Sequence, residues 1–151
     1  MRLTTFTDYT LRVLIYLGAH EGEHSLSTIG DIATAYGISE NHLMKIVHHL
    51  GRQGYVDTMR GKGGGVRLAR APSEINIGAV VRGAEEDLAL VECFQPGNVK
   101  CPIVSSCVLQ GLLGRAIDAF FDVLDNQTLA DLLKPRAQLI RIFRGAGQPG
   151  Q

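Results

Sequence analysis

The sequence has no apolar run near the roughly 18 to 20 residues needed to span a bilayer, and Met1 to Thr10 lacks the basic-then-apolar layout of a secretory signal. A cytoplasmic chain with no membrane partner is therefore expected. Net charge is missing too: 15 Lys and Arg balance 15 Asp and Glu. No whole-molecule field draws this chain to nucleic acid, so any such attraction must come from local clustering. Cysteine is scarce, and three residues make a poor disulfide framework because one is left over. In a reducing compartment such thiols are more often reactive or metal-binding. No paired-thiol motif and no nucleophile–base pattern is visible, so the chain does not read as an enzyme.

What is present is a 45% apolar chain of 151 residues, enough to bury a core and long enough for one domain with an appendage. From Thr5 to Ala19, Phe6, Leu11, Leu14, Ile15 and Leu17 follow a helical period that Gly18 and the polar stretch from Glu21 to His24 are expected to end. Ser27 precedes a short helix with Ile29, Ile32, Ala33 and Tyr36, closed by Gly37. Ser39 can cap the next helix, whose Leu43, Ile46, Val47 and Leu50 repeat at i, i+3, i+4, i+7. Two short helices around a glycine turn are a helix-turn-helix pattern. Tyr55–Thr58 and Val66–Leu68 then read as strands flanking Arg60-Gly61-Lys62-Gly63-Gly64-Gly65, which makes a wing. Ile75–Ala84 predicts a helix, and Glu92–Cys107, with Pro96, Gly97, Asn98 and Pro102, has loop composition. Leu109, Leu112, Leu113, Ala116, Ile117, Phe120 and Leu124 then form a long helical stripe, followed by a helix over Leu129–Phe143 and a disordered tail.

The fold class is thus mainly α with a small β-hairpin wing: a winged helix-turn-helix plus a long dimerisation helix. The expected divisions are a DNA-binding domain over 1–84, a loop over 85–107, dimerisation and C-terminal helices over 108–144, and a tail over 145–151.

Between Ser39 and Arg70 six basic residues (Lys45, Arg52, Arg60, Lys62, Arg67, Arg70) face two acids (Glu40, Asp57), so positive charge is concentrated in an otherwise neutral chain. On the second helix Asn41, His42, Lys45, His48, His49 and Arg52 lie off the apolar face, where Asn and Lys can read base edges. Together with Ser39 at the helix start, these are the candidate major-groove residues. In the wing, Gly63 and Gly64 allow close backbone approach, while Arg60 and Lys62 supply charge for phosphates. A solvated helix face and a flexible hairpin would share this composition, but helix, turn, helix and basic wing in that order favour DNA. A metal role for His42, His48 and His49 is disfavoured, since none pairs with a cysteine at finger spacing.

Cys93, Cys101 and Cys107 follow C-x7-C-x5-C. The pattern lacks both the C-x2-C knuckle of structural zinc and the four-cysteine runs of ferredoxins. Three thiolates would leave one position of an iron–sulfur cluster to a weaker oxygen or nitrogen donor, which suits a sensor better than an electron carrier. Buried cysteines also serve simply as small hydrophobes, and a zinc-stabilised DNA-binding module is a further alternative; spacing alone leaves these open.

Met1-Arg2-Leu3-Thr4-Thr5-Phe6-Thr7-Asp8-Tyr9, the wing Arg60–Gly65, and a three-cysteine loop leading into a long helix together resemble the iron–sulfur winged-helix regulators of the NsrR and IscR type, from Met1 to about Leu133. The IscR branch carries a histidine shortly after its third cysteine, whereas Val108-Leu109-Gln110 offers none here, so the likeness is greater to the nitric-oxide-sensing NsrR branch. The resemblance implies a repressor with a cluster, 4Fe-4S in preference to 2Fe-2S, on Cys93, Cys101 and Cys107. It also implies a fourth ligand from the partner subunit, an aspartate that maps onto Asp8. The plain reading of Asp8 is a first-turn acid that favours the helix dipole and pairs with Arg12. Sensing of iron, oxygen or cluster supply is the other possibility within the same group. The stripe from Leu109 to Leu124, with Gly111 and Gly114 allowing close approach, suits a two-fold homodimer on a roughly palindromic operator.

Overall fold

The computed structural model describes residues 2–22, 26–97 and 100–146. The chain begins with α1 (Thr5–Ala19), α2 (Ile29–Tyr36) and α3 (Glu40–Arg52), continues through the antiparallel pair β1 (Val56–Met59) and β2 (Gly65–Leu68), and then enters α4 (Ile77–Ala84). After a stretch of short 3-10 turns come α5 (Val108–Asp125), α6 (Leu129–Leu132) and α7 (Arg136–Ala146).

Each early helix has a local reason to start. Thr4 accepts the Thr7 N–H at 3.2 Å to open α1. At α2 the cap is Thr28 rather than the expected Ser27: Thr28 and Asp31 bond reciprocally to each other's backbone N–H as a capping box. Ser27 is drawn instead into a bridge with Val66 of the wing, at 3.0 and 2.8 Å. Gly18 does not stop α1. It lies buried in the last turn, where a Cβ would come within 2.5 Å of Leu133 Cδ1, so its smallness serves packing against the end of the chain.

The core gathers around α1. Val13, Leu14 and Leu17 meet Ile32 of α2, Leu43, Ile46 and Leu50 of α3, Val56 and Val66 of the hairpin, and Ile75, Ile77 and Val80 at α4. Leu129 and Phe143 belong to the same cluster, so α6 and α7 complete the core of the first 84 residues. Backbone bonds from Leu129 N–H to Ile75 O at 2.8 Å and from Ile77 N–H to Gln127 O at 3.0 Å fasten this return.

The helix expected over Leu129–Phe143 is two helices, because Pro135 lacks the N–H that a continuous ladder needs and accepts from Gln138 and Leu139 at the start of α7 instead. The helix expected from Ile75 starts at Ile77, after the Asn76 cap. Of the expected tail, Gly145 and Ala146 form the end of α7, and 147–151 lie outside the described residues. So do His24 in the turn after α1 and Asn98 in the loop before α5.

The helix α5 is attached differently. Its one buried residue is Phe121. Arg82 of α4 forms a fork with Asp125, Nη1–Oδ1 at 2.6 Å and Nη2–Oδ2 at 2.7 Å, and its guanidinium carbon lies 4.0 Å from the Phe121 ring centre. That hydrogen bond raises the Arg82 pKa and lowers that of Asp125. Gly78 leaves room for the carboxylate, since a Cβ there would collide with Asp125 Oδ1.

Candidate nucleic-acid interface and cysteine loop

The sequence of α3 sorts itself by face. Leu43, Ile46, Val47 and Leu50 are buried against the core, which turns Asn41, His42, Lys45, His48 and Arg52 outward. Ser39 is committed locally: its hydroxyl accepts the His42 N–H at 3.3 Å and fixes the start of the helix. His49 is turned away from the open face. Its ring meets Phe6 of α1 edge-on at 5.3 Å, and partial burial followed by the nearby Arg52 charge lowers its pKa. His42 keeps a looser ring contact with Tyr9, at 6.4 Å.

Gly54, at φ 71, lets the chain leave α3 while the Tyr55 N–H closes back on Leu50 O at 2.9 Å, and β1 follows at once. At the wing tip Gly61 (φ 92) and Gly63 (φ 77) take left-handed conformations. Gly64 is required for a different reason, because a Cβ there would run into the Met59 carbonyl. The turn presents Arg60, Lys62 and Gly63 to solvent. Two other cations counted in the sequence are used within the fold: Arg67 faces Asp57 at 3.8 Å, and Arg70 donates to Gln53 O at 3.3 Å while lying over Tyr55.

Cys93 and Cys107 are half-buried and Cys101 is exposed, all three free thiols. Cys93 sits in the 3-10 turn Glu92–Phe94, and Cys101 precedes a second one, Val104–Ser106. Cys107 caps α5, its Sγ accepting the Gln110 N–H at 3.4 Å, which puts the sulfur at the electropositive end of that helix. As soft donors without disulfide partners they fit an iron–sulfur group in kind. Among the described residues, however, no three His, Cys, Asp or Glu side chains gather as a metal-holding group, so the single chain does not close a site.

Asp8 shows the plain pairing anticipated for it. Arg12 Nη2 lies 2.8 Å from Asp8 Oδ2, and Arg12 Nε donates to Asp8 Oδ1 at 3.2 Å. Sequence reading did not anticipate where that guanidinium rests, over the rings of Tyr9 and Tyr36 at 5.5 and 5.8 Å. The spacing of Tyr9 and Arg12 on one helix was a usable signal; Tyr36 comes from α2 and gave none.

Past the cysteines, α5 exposes Val108 (86%), Leu109 (59%), Leu112 (52%) and Val123 (66%), and Ala116 and Ala119 continue the same stripe. No helix among the described residues is long and apolar enough to cross a membrane.

A capped recognition helix followed by a glycine-built basic hairpin defines a winged-helix DNA-binding regulator. The chain belongs to the Rrf2 family, described as iron-dependent transcriptional regulators, whose pattern matches residues 3–135. It is 53% identical over 144 residues to the HTH-type transcriptional regulator NsrR of Geobacillus kaustophilus, covering 95% of this chain and 97% of that one. NsrR of Bacillus subtilis is 48% identical over 144 residues, with 95% and 98% covered. Among solved structures, T. potens IscR superposes with a TM-score of 0.72 at 28% identity, over 89% of this chain and 88% of its own. The relatives bearing these names are transcriptional regulators and not enzymes.

Proposed function

We propose that the chain is a cytoplasmic, homodimeric repressor that holds an iron–sulfur cluster, 4Fe-4S rather than 2Fe-2S, and releases a roughly palindromic operator in response to nitric oxide. The observation that carries this reading is the cysteine loop: three free thiols stand between the winged domain and a helix that, among the described residues, keeps Val108, Leu109, Leu112 and Val123 exposed. Cys93, Cys101 and Cys107 bind the group, and the partner subunit's Asp8 supplies the fourth donor. The greater likeness to regulators named NsrR supports nitric oxide as the signal.

When bound, the group supplies iron that nitric oxide can attack, most readily where the donor is oxygen rather than sulfur. The chain does the rest. The stripe Val108, Leu112, Ala116, Ala119 and Val123 packs against its two-fold mate. The cysteine loop of one protomer and Asp8 of the other hold the two α3 helices at a fixed separation. Asn41, His42, Lys45 and Arg52 address base edges and phosphates, while Ser39 sets the helix start and Arg60, Lys62, Gly63 and Gly64 form the flanking wing contact.

Oxygen-free purification followed by iron, sulfide and zinc analysis tests the reading. Brown protein with comparable iron and sulfide supports it; colourless protein holding only zinc overturns it in favour of a zinc-stabilised module. Titration with nitric oxide, oxygen and chelator during operator binding then separates the signal: release by nitric oxide first supports the proposal, and release only by oxygen or chelator assigns a sensor of oxygen or of iron and cluster supply.

A further inference from the structure

Met44 breaks the pattern of α3. Leu43, Ile46 and Val47 beside it belong to the core, whereas Met44 is 49% exposed. Single exposed apolar residues are ordinary on a protein surface, so the setting of this one decides what it means. It stands in the N-terminal half of the helix, the part that meets base edges when such a helix enters a major groove. Asn41, Met44, Lys45 and His48 recur at i, i+3, i+4, i+7 and so share one face, and all four are exposed. Residues on either flank are turned elsewhere. His42 and His49 lie toward α1, with ring centres 6.4 Å from Tyr9 and 5.3 Å from Phe6. Glu40, the one acid of the helix, leans toward α2, where its Oε1 lies 3.7 Å from the place a Cβ on Gly30 would take. An unbranched apolar side chain is thus left in the middle of the face that carries Asn41 and Lys45.

We propose that Met44 is the thymine-reading residue of α3: its thioether chain packs on the 5-methyl group of a thymine in the major groove, next to the bases addressed by Asn41 and Lys45. The inference rests on the reading of α3 as the helix that enters the groove. Thymine is the base that carries an apolar group on its major-groove edge, and an apolar side chain gains by covering it. The polar residues of the same face distinguish purines, since an Asn amide suits adenine and a Lys ammonium suits guanine. Neither of them gains from a methyl group. Methionine suits the task because its flexible, polarizable chain fills irregular gaps. Both partners then give up apolar surface to water, whereas a polar base edge pressed on Met44 would lose hydration and gain no bond. Lys45 and Arg52 on this face, with Arg60 and Lys62 in the wing, draw a polyanion to this side of the molecule, so the cover is DNA rather than another protein.

The test isolates one methyl group. A duplex selected from a random pool by the anaerobically purified protein is resynthesised with deoxyuridine replacing thymidine at one position after another, which deletes the 5-methyl and leaves base pairing intact. Affinity is measured for the natural protein and for Met44→Ala, Met44→Gln, Met44→Leu and Asn41→Ala. The natural protein is expected to lose about fourfold at one thymine, the effect of forfeiting the burial of one carbon. Met44→Leu keeps that sensitivity. Met44→Ala and Met44→Gln bind the two duplexes alike, the glutamine having nearly the length of methionine without its apolar end. Asn41→Ala binds more weakly throughout yet still tells thymine from uracil. Melting midpoints of the Met44 variants stay close to that of the natural protein, because the side chain lies outside the core. If every deoxyuridine duplex binds the natural protein as its parent does, or if the sensitive position is equally sensitive in Met44→Ala, the Met44 proposal is overturned, while weaker binding by Asn41→Ala keeps α3 in the groove. If Asn41→Ala and the Met44 variants all bind the selected duplex as the natural protein does, α3 is not the reading helix and both readings fall.

Discussion

The winged domain and α5 dispose of apolar side chains in opposite ways. Around α1 the domain leaves Val13, Leu14, Ile32, Leu43 and Leu50 without solvent contact, and even the chain end is recruited through Leu129 and Phe143. Only Phe121 of the 18 residues of α5 is buried, and the helix holds Val108, Leu112 and Val123 out to water. A moderate apolar stripe on a helix must be covered somewhere. The contrast teaches that the DNA-reading unit is finished within one chain, whereas the helix after the cysteine loop keeps apolar surface exposed, which the homodimer proposed above would cover.

Substitutions in the two regions should therefore fail in different measurements. The largest effect is expected from Leu14→Ala: truncating a fully buried leucine costs about 2–5 kcal/mol, visible as a lowered denaturation midpoint. A loss below about 1 kcal/mol would mean that α1 is not the centre of the core. Leu112→Glu, on the 52% exposed face, should leave the fold of the winged domain intact but convert dimer to monomer in sedimentation. Persistence of the dimer would place the interface elsewhere. Ser39→Ala removes the cap of α3 at a cost of about 1 kcal/mol, read as a small drop in melting temperature together with weaker operator binding.

The same contrast explains what was legible in the sequence. Helix period, caps and glycine turns are local signals, and they located α1, α3 and the wing almost to the residue, because local sequence and core packing agree there. Thr28 displaced Ser27 as a cap because Ser27 had a better partner in Val66, which is distant in sequence. Pro135 was visible, but its consequence depended on whether neighbouring packing could tolerate a missing bond. His49 counted as groove-facing on a helical wheel, yet Phe6 of α1 holds its ring. The Arg12–Tyr36 stacking and the Arg82–Asp125 fork join separate elements, and no periodicity reports such meetings. The cysteine spacing carried three candidate donors without their geometry, and among the described residues the single chain does not gather them into a group.

The smallest effect concerns the return of the chain to the winged domain at α6. Asp131 accepts the Thr128 backbone N–H and hydroxyl, each at 2.9 Å, and pairs with Lys134 at 3.0 Å. The Thr128 backbone bond, then Lys134 and the Thr128 hydroxyl, lower its pKa from 3.8 to about 2. A carboxylate held lower in the folded than in the unfolded chain stabilises the fold above its unfolded value, and that contribution is lost as pH falls. The cap should therefore be complete above about pH 4 and fade as pH drops toward about 2. Asp131→Asn removes the titrating group, so the melting temperatures of natural and variant protein should differ by a constant amount near neutrality and converge across that acid window. If the two curves instead run parallel down to pH 2, Asp131 does not act as a charged cap, and α6 is held against the winged domain by Leu129 burial and the Ile75 and Gln127 backbone bonds alone.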